Sequence, residues 1–346
     1  MTKLGVLFSV LGVGAGCIPA FAQKQLPNII VMLSDDQGWG DLGFTGNTFV
    51  QTPNIDRIAH EGTILENFYV CPVSSPTRAE FLTGRYHVRS GVNSTTGGGE
   101  RFNLGEKTIA EYFREAGYAT SLFGKWHSGT QYPYHPNARG FEEFYGFCSG
   151  HWGNYWNPVL EHNGEIISGE GFIIDDLTDK ALDYIRDHKE HPFFMFLSYN
   201  TPHSPMQVPD SWWNRVKDRT LSQRATFPEQ EDTTFTKAAL ALAENLDWNI
   251  GRVLSLLHSL DLEQETIVIY FSDNGPNSFR WNGGMKGRKG STDEGGVRSP
   301  FCIRWPGHIR KGAVETQLSG AIDLIPTLLG LAGIEYTPLR KLDGID

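Results

Sequence analysis

Short runs of apolar residues alternate along the chain with longer stretches in which apolar positions recur every three to four residues. Continuous apolar runs are typical of strands covered on both faces, and the longer stretches are typical of amphipathic helices. This alternation predicts an α/β domain with a mostly parallel central sheet. The predicted strands are residues 28–33, 119–123, 193–199 and 266–272, and the predicted helices are residues 52–61, 108–116, 176–188, 237–260 and 323–331.

Polar or titratable side chains follow each of the four predicted strands. Ligands of parallel α/β sheets bind beyond the carboxyl ends of the strands, so these side chains are expected to meet at one edge. One such cluster alone would mean little, but four in the same topological position indicate a functional site. In chain order the clusters are Asp35 with Asp36, Lys125 with His127, then His203, and finally Asp273 with Asn274.

The first and last clusters offer three carboxylates and one amide oxygen. An all-oxygen set is typical of a hard cation such as calcium or magnesium, whereas zinc prefers nitrogen and sulfur. Either pair alone is better explained as a helix cap or a solvated turn. Because both pairs stand at strand ends, the sequence predicts a metal site made by Asp35, Asp36, Asp273 and Asn274.

Two lysines and two histidines would bring cations and proton carriers to the same edge: Lys125, His127, His203 and Lys289. Imidazole titrates near neutral pH and can transfer protons during ester cleavage, and a lysine can stabilise a developing oxyanion. In isolation His203 is better explained as a turn histidine. Nothing in its own segment distinguishes Lys289 from the basic residues beside it.

The most specific pattern is a serine, a proline and an arginine at alternate positions, Ser74, Pro76 and Arg78, followed by Thr-Gly-Arg at residues 83–85. In this pattern the chain resembles the sulfatase family. A helix N-terminus rich in capping residues accounts for the serines but not for the combination. The resemblance covers nearly the whole chain after residue 22, in family order, through residues 35–38, 124–127, 272–275, 289–292 and 294–298.

The resemblance implies an alkaline-phosphatase-like α/β/α sandwich and a sulfuric ester hydrolase. In the family the first signature residue is oxidised to formylglycine, and Ser74 stands at that position. Cys71 is a rival, but Val73 falls where the signature requires proline. One Ca²⁺ is implied, bound by the four predicted ligands and by the modified Ser74.

The family also implies a role for each remaining matched residue. Arg78 and Lys125 would steady the hydrated aldehyde, and His127 would take its second proton. His203 and Lys289 would hold the sulfate group and assist the leaving alcohol. Because the signature begins with serine, maturation would require the radical formylglycine-generating enzyme that processes serine-type bacterial sulfatases.

A sulfated carbohydrate is the expected substrate, since aromatic and polar residues crowd residues 132–135 and 151–156. Aromatic rings stack on sugars, although rings that merely pack loops are an equally good explanation. Two other functions are open. One is a phosphodiesterase or phosphonate monoester hydrolase of the same superfamily, and the other is a non-catalytic carbohydrate-binding relic. A net charge of −10 argues against a nucleic-acid partner.

The N-terminus predicts export to the periplasm or the extracellular space of a bacterium. Lys3, an apolar run at residues 4–13 and an Ala-Phe-Ala site at 20–22 indicate a signal peptide over residues 1–22. That run is too short for a transmembrane segment. Residues 23–346 are then the catalytic domain, which we expect to be truncated because relatives continue into a smaller C-terminal subdomain. Three cysteines remain after cleavage, so at least one thiol is expected to be unpaired.

Overall fold

A ten-stranded sheet forms the centre of the protein in a computed structural model that describes residues 1–2 and 26–346. Apart from residues 1–2, the predicted signal peptide lies outside the described residues. The strands are β1 Asn28–Ser34, β2 Thr63–Leu65, β3 Phe68–Tyr69, β4 Ala119–Lys125, β5 Glu143–Phe147, β6 Val159–His162, β7 Glu165–Ser168, β8 Phe193–Ser198, β9 Thr266–Ser272, β10 Phe301–Arg304, β11 Ala313–Glu315 and β12 Ser319–Gly320.

The large sheet has the strand order β11-β2-β10-β9-β1-β8-β4-β5-β6-β7. Its five central strands, from β9 to β5, are all parallel, and antiparallel strands flank them on both sides. Strands β3 and β12 form a separate two-stranded sheet. The predicted fold class is confirmed. The parallel centre matters for function because it brings the carboxyl ends of β1, β4, β8 and β9 to one edge.

Helices cover both faces of the sheet, as the side chains of β1 illustrate. Ile29 and Val31 pack into one apolar core with α2, α4 and α9, whereas Ile30 and Met32 pack into a second core with α1, α5 and α7. The result is an α/β/α sandwich. The helices are α1 Pro53–Glu61, α2 Ser74–Thr83, α3 His87–Ser90, α4 Ile109–Glu115, α5 Ile173–Asp187, α6 Asp210–Val216, α7 Thr233–Ser259, α8 Glu294–Val297 and α9 Leu324–Ala332.

All four predicted strands and all five predicted helices are present, with bounds that differ by a few residues. The largest difference is at α7, which begins at Thr233 because the Asp232 side chain accepts hydrogen bonds from the amides of Thr234 and Phe235. The sequence prediction omitted α2 because every one of its residues is buried, so no amphipathic pattern marks it.

Within the described residues, no helix is long and apolar enough to cross a bilayer. Cys71, Cys148 and Cys302 are buried and form no disulfide. The prediction that at least one thiol is unpaired is thereby confirmed. The assignment of residues 23–346 to one catalytic domain stays a prediction.

Candidate active site

The carboxyl edge of the central strands carries the side chains that the sequence predicts for the site. Asp35 and Asp36 follow β1, Lys125 ends β4, and Asp273 and Asn274 follow β9. A segment after β8 brings His203 to this edge, and the start of α2 brings Ser74 and, one turn later, Arg78. Lys289 lies on the loop between β9 and α8. The backbone of this loop is fixed by two hydrogen bonds, one from the Lys289 amide to the Pro276 carbonyl and one from the Gly290 amide to the Pro72 carbonyl.

Ser74 lies at the centre of a buried hydrogen-bond network. Its Oγ donates to Asp273 Oδ2 at 2.5 Å and accepts from Arg78 Nε at 2.8 Å. Arg78 also donates through Nη2 to Asp273 Oδ2 at 2.9 Å, and both charged side chains are completely buried. Ser74 and Arg78 share one face of α2 because they are four residues apart. The hydroxyl is therefore held in one position by two charged groups.

His127 faces the same oxygen from the turn that follows β4. Its Nδ1 is 3.2 Å from Ser74 Oγ, and its Nε2 is 2.9 Å from the Thr95 carbonyl oxygen. A carbonyl oxygen only accepts, so Nε2 carries the proton and Nδ1 presents a lone pair to Ser74. Burial, reinforced by the positive charge of Lys125, holds the pKa of His127 well below its usual value. The imidazole is therefore neutral at neutral pH and able to accept a proton from the position of Ser74 Oγ.

Lys125 and Lys289 each pair with one of the adjacent aspartates. Lys125 Nζ donates to Asp35 Oδ2 at 2.7 Å, and Lys289 Nζ lies 2.6 Å from Asp36 Oδ1. Burial alone would raise the pKa of Asp35, but the charges of Lys125 and His203 hold it well below the usual range. The pKa of Lys289 is raised, because attraction to Asp36 and Asp35 outweighs burial. Asp35 is therefore ionised and Lys289 is a cation, whereas burial lowers the pKa of Lys125 although the charge of Asp35 opposes this.

His203 completes this second side of the site. Its Nε2 is 3.5 Å from Asp36 Oδ2, and its Nδ1 is 2.6 Å from the carbonyl oxygen of Ser204. By the same argument as for His127, Nδ1 carries a proton and Nε2 is the nitrogen that faces the site. The Asp36 carboxylate lies beside this nitrogen, which is the ring atom placed to exchange a proton with a bound substrate.

Two buried oxygens in the predicted metal site have no hydrogen-bond partner: Asp35 Oδ1 and Asn274 Oδ1. The Asn274 amide nitrogen donates to Asp36 Oδ1 and to the Gly275 carbonyl, which turns the amide oxygen away from both. A buried unpaired polar atom costs about 1–3 kcal/mol. Because carboxylate and amide oxygens are the ligands of hard divalent cations, Asp35, Asp36, Asp273 and Asn274 fit the predicted metal.

Asp36 and His127 share an uncommon backbone conformation, with φ of 64° and 59°. Residues other than glycine rarely adopt positive φ, and those that do are concentrated at functional sites, where the surrounding structure holds them. Each stands just beyond the end of a central strand. The conformation thus marks the two turns that deliver a metal ligand and the imidazole to the site.

Several residues of the site escaped prediction from the sequence. Ser198, the last residue of β8, accepts a hydrogen bond from Arg78 Nη1 at 2.6 Å. The segment after β5 also reaches the site: a Cβ on Gly150 would lie 2.3 Å from His127 Nε2, and the ring of His151 contacts that of His203. Ser198 sits in the same strand-end position as the predicted residues. Gly150 had no such signal, because β5 was not predicted. The sequence indicates His151 only as part of the aromatic and polar segment at residues 151–156, with no link to His203.

The aromatic rings at residues 132–135 and 151–156 fall into two groups, those that pack against the protein and those that are exposed to solvent. Trp152 stacks on Phe147, and Tyr155 is buried, so these two rings pack the loops. Tyr132 is 84% exposed and Trp156 is 48% exposed, which leaves both rings accessible. The packing explanation therefore holds for Trp152 and Tyr155, whereas sugar stacking by Tyr132 and Trp156 stays a prediction.

The rival nucleophile Cys71 does not contact Ser74's network. Its Sγ lies 3.4 Å from His87 Nδ1, which in turn pairs with Glu80. Burial and the charge of Glu80 raise the pKa of this thiol far above its usual value. A protonated thiol is a poor nucleophile, so the geometry favours Ser74 over Cys71.

Known proteins match almost the whole chain. The family profile described as Sulfatase matches residues 27–334. The N-acetylgalactosamine-6-sulfatase of Sus scrofa is 32% identical over an alignment of 377 positions. The alignment covers 99% of this chain and 68% of that enzyme. The fold is similar to the crystal structure of Ps i-CgsB in complex with k-i-k-neocarrahexaose, with a TM-score of 0.82 and 33% sequence identity. The superposition covers 93% of this chain and 75% of Ps i-CgsB. The structure of the PsFucS1 sulfatase from Pseudoalteromonas sp. has a TM-score of 0.79 and 27% sequence identity to this chain. That superposition covers 93% of this chain and 71% of PsFucS1. The chain therefore belongs to the sulfatase family of sulfuric ester hydrolases, as its signature around Ser74 predicts.

Proposed function

We propose that the protein removes sulfate groups from carbohydrates, with a nucleophile formed from Ser74 and one bound Ca²⁺. The observation that carries the proposal is the convergence of Arg78, Asp273 and His127 on the single oxygen Ser74 Oγ. Burying charged groups is costly unless they are paired and serve a purpose. Their convergence on one hydroxyl supports nucleophilic chemistry at that oxygen.

The metal would be held by Asp35, Asp36, Asp273 and Asn274, together with the modified side chain of Ser74. When bound, a hard divalent cation polarises sulfate oxygens and lowers the pKa of a coordinated hydroxyl. The unpartnered oxygens of Asp35 and Asn274 support this assignment. Three basic side chains, Arg78, Lys125 and Lys289, pair with the three carboxylates. A bound divalent cation would add positive charge toward an anionic sulfate ester.

Ser74 would act after oxidation to formylglycine. That group supplies a hydrated aldehyde, with one hydroxyl to attack sulfur and a second whose deprotonation expels sulfate and restores the aldehyde. An unmodified serine has no second hydroxyl and would remain trapped as a sulfate ester. The lone pair of His127 Nδ1 faces this position, which supports its role as acceptor of the second proton. Arg78 Nε, which donates to Ser74 Oγ, would orient the hydroxyls together with Lys125.

The leaving alcohol would be served from the opposite side of the site. Lys289 is held as a cation by Asp36 and would bind a sulfate oxygen. His203 presents Nε2 to the site and would donate a proton to the alcohol as the S–O bond breaks. Alcohols of sugars are poor leaving groups, so this proton is required for a carbohydrate substrate.

A sulfated carbohydrate is favoured by two relatives, one an N-acetylgalactosamine-6-sulfatase and one with a structure in complex with neocarrahexaose. The exposed rings of Tyr132 and Trp156 offer stacking surfaces for sugars. Arg101 lies over the ring of Tyr134, and among the described residues no carboxylate forms an ion pair with it. Such a cation suits an anionic polysaccharide. No observation specifically favours a phosphodiesterase, a phosphonate monoester hydrolase or a non-catalytic relic.

The test is a desulfation assay on protein co-produced with a serine-type formylglycine-generating enzyme. The panel contains N-acetylgalactosamine 6-sulfate, neocarrahexaose and 4-nitrophenyl sulfate, with 4-nitrophenyl phosphate as the matched phosphoryl substrate. We expect release of sulfate from at least one sugar and a kcat/KM for the aryl sulfate well above that for the aryl phosphate. A preference for the phosphate, or no release of sulfate from either sugar, would refute the proposal. Export to the periplasm or beyond stays a prediction.

A further inference from the structure

The segment that follows β5 contacts both histidines of the active site. The amide of His127 donates to the Cys148 carbonyl at 3.2 Å, and Gly150 lies against the His127 ring so closely that a Cβ would collide with Nε2. The next side chain, His151, meets His203 edge to face, with ring centroids 4.9 Å apart and an interplanar angle of 82°. One short segment, residues 148–151, thus spans from the nucleophile side of the site to the leaving-group side.

The position of His151 is fixed by the residues that follow it. Trp152 stacks on Phe147 at the end of β5, with ring centroids 5.0 Å apart. Gln207 binds the segment twice: its amide nitrogen donates to the Gly153 carbonyl, and its amide oxygen accepts from the Tyr155 amide at 2.8 Å. His151 itself remains exposed. A segment fastened in this way can hold an exposed imidazole in a defined place at the mouth of the site.

We propose that His151 is a specificity-determining residue that contacts the sugar whose sulfate is removed. The inference rests on the proposed function, because His203 marks the leaving-group side only if it protonates the alcohol. A sugar whose ester oxygen lies against His203 must extend from there toward solvent, and His151 borders that path. The family signature assigns roles to His127 and His203 but none to His151.

The chemistry of His151 suits a sugar hydroxyl. Partial burial and the neighbouring positive charges of His203 and Lys125 lower its pKa. A neutral imidazole offers one donor and one acceptor, which matches a hydroxyl group that can both accept and donate. An aryl sulfate such as 4-nitrophenyl sulfate has no hydroxyl at the corresponding place. His151 should therefore matter for sugars and not for the sulfate transfer itself.

The experiment compares matured wild type with His151→Ala, His151→Gln and a control, His162→Ala. His162 is a half-exposed histidine on β6 that pairs with Glu143 and contacts none of the predicted site residues. For each protein, kcat and KM are measured on 4-nitrophenyl sulfate and on the better cleaved of N-acetylgalactosamine 6-sulfate and neocarrahexaose. Melting temperatures check that all variants fold equally well.

We expect His151→Ala to lower kcat/KM on the sugar at least tenfold, mainly through KM, and to change the aryl sulfate less than twofold. His151→Gln keeps a donor and an acceptor and should recover part of the loss, and the control should match wild type on both substrates. Unchanged sugar turnover, or equal losses on sugar and aryl sulfate, would overturn the inference. A wild type that cleaves neither sugar overturns the proposed function itself.

Discussion

The two sides of the active site differ in how far they are closed to solvent. On the nucleophile side, the side chains of Arg78 and Asp273 are 0% exposed. On the leaving-group side, Lys289 keeps 25% of its side chain exposed, and His151 beyond it is open to solvent. Attack on sulfur is the same for every sulfate ester, whereas the alcohol differs from one substrate to the next. In the proposed mechanism the invariant step therefore takes place in the core, and the variable part of the substrate would meet a surface.

This difference has an energetic consequence. A buried ion pair that loses one partner leaves an uncompensated charge in the core, whereas an exposed pair contributes little to stability. Substitutions on the nucleophile side should therefore reduce both activity and stability. Substitutions on the leaving-group side should reduce activity with a smaller loss in the free energy of unfolding.

The largest effect is expected for Arg78→Met. In metal-free protein the substitution leaves the buried carboxylate of Asp273 without its cation, so the free energy of unfolding should fall by about 3–5 kcal/mol. Activity should fall at least about 10³-fold, because Ser74 loses a charge-assisted hydrogen bond. Urea denaturation and steady-state kinetics measure the two effects. The control is Arg310→Met, whose exposed pair with Glu315 should be worth less than about 1 kcal/mol. Equal destabilisation by both substitutions would contradict the expected difference between a buried and an exposed ion pair.

Removal of the metal comes next. Dialysis against a chelator should abolish turnover and lower the melting temperature, because a ligand bound only by the native state stabilises it, by about 2.7 kcal/mol at a hundredfold excess over Kd. Added Ca²⁺ should restore both. Asn274→Ala should weaken Ca²⁺ binding, measured by calorimetry, whereas Asn277→Ala nearby should not. Full activity and an unchanged melting temperature in metal-free protein would show that the oxygens of Asp35 and Asn274 serve another purpose.

The sequence predicts the residues at the ends of the central strands better than it predicts the residues on helix α2 and on the loops. The central strands are buried on both faces and appear as continuous apolar runs, so their ends, and with them Asp35, Lys125 and Asp273, could be located. Helix α2 carries no such pattern, because all its side chains are buried, polar ones included. Only the family signature pointed to Ser74 and Arg78.

Other residues depend on contacts between segments far apart in the chain. The Thr95 carbonyl, which sets the tautomer of His127, lies in a loop whose sequence gives no hint of that role. Gly150 and His151 follow β5, which was not predicted from the sequence. This five-residue strand is placed by its pairing with β4, which is parallel to it, and with β6, which is antiparallel. Lys289 could not be chosen among its basic neighbours without the structure or the resemblance, because the choice is made by its 2.6 Å contact with Asp36.

A smaller and more selective effect is expected for His203→Ala. Removing the proton donor should lower kcat on a sugar sulfate by about 10²-fold or more, but should lower kcat on 4-nitrophenyl sulfate much less, since an activated phenol leaves without protonation. The ratio of the two losses is the quantity to measure. His308→Ala serves as a control, because that histidine stacks on Trp305 and contacts none of the predicted site residues. Equal losses on both substrates would reject the role of His203 as the proton donor.

The smallest effect is expected in the stability of Lys289→Met. Lys289 keeps 25% of its side chain exposed and Asp36 keeps 2%, and the Asn274 amide also donates to Asp36, so this substitution should lower the free energy of unfolding less than Arg78→Met does. Activity on every sulfate ester should nevertheless fall, because a cation that binds sulfate is lost. Urea denaturation beside that of Arg78→Met gives the direct comparison. A loss of stability as large as that of Arg78→Met would mean that the two sides of the site do not differ.

The central claim is that Ser74 becomes the nucleophile only after oxidation, and mass spectrometry of its peptide tests this most directly. Protein produced alone should carry unmodified Ser74, fold, bind Ca²⁺ and fail to turn over. Co-production with the serine-type maturing enzyme should remove the mass of two hydrogen atoms from that peptide, and activity should rise in proportion to the modified fraction. Multiple turnovers by protein whose Ser74 is wholly unmodified would contradict the account.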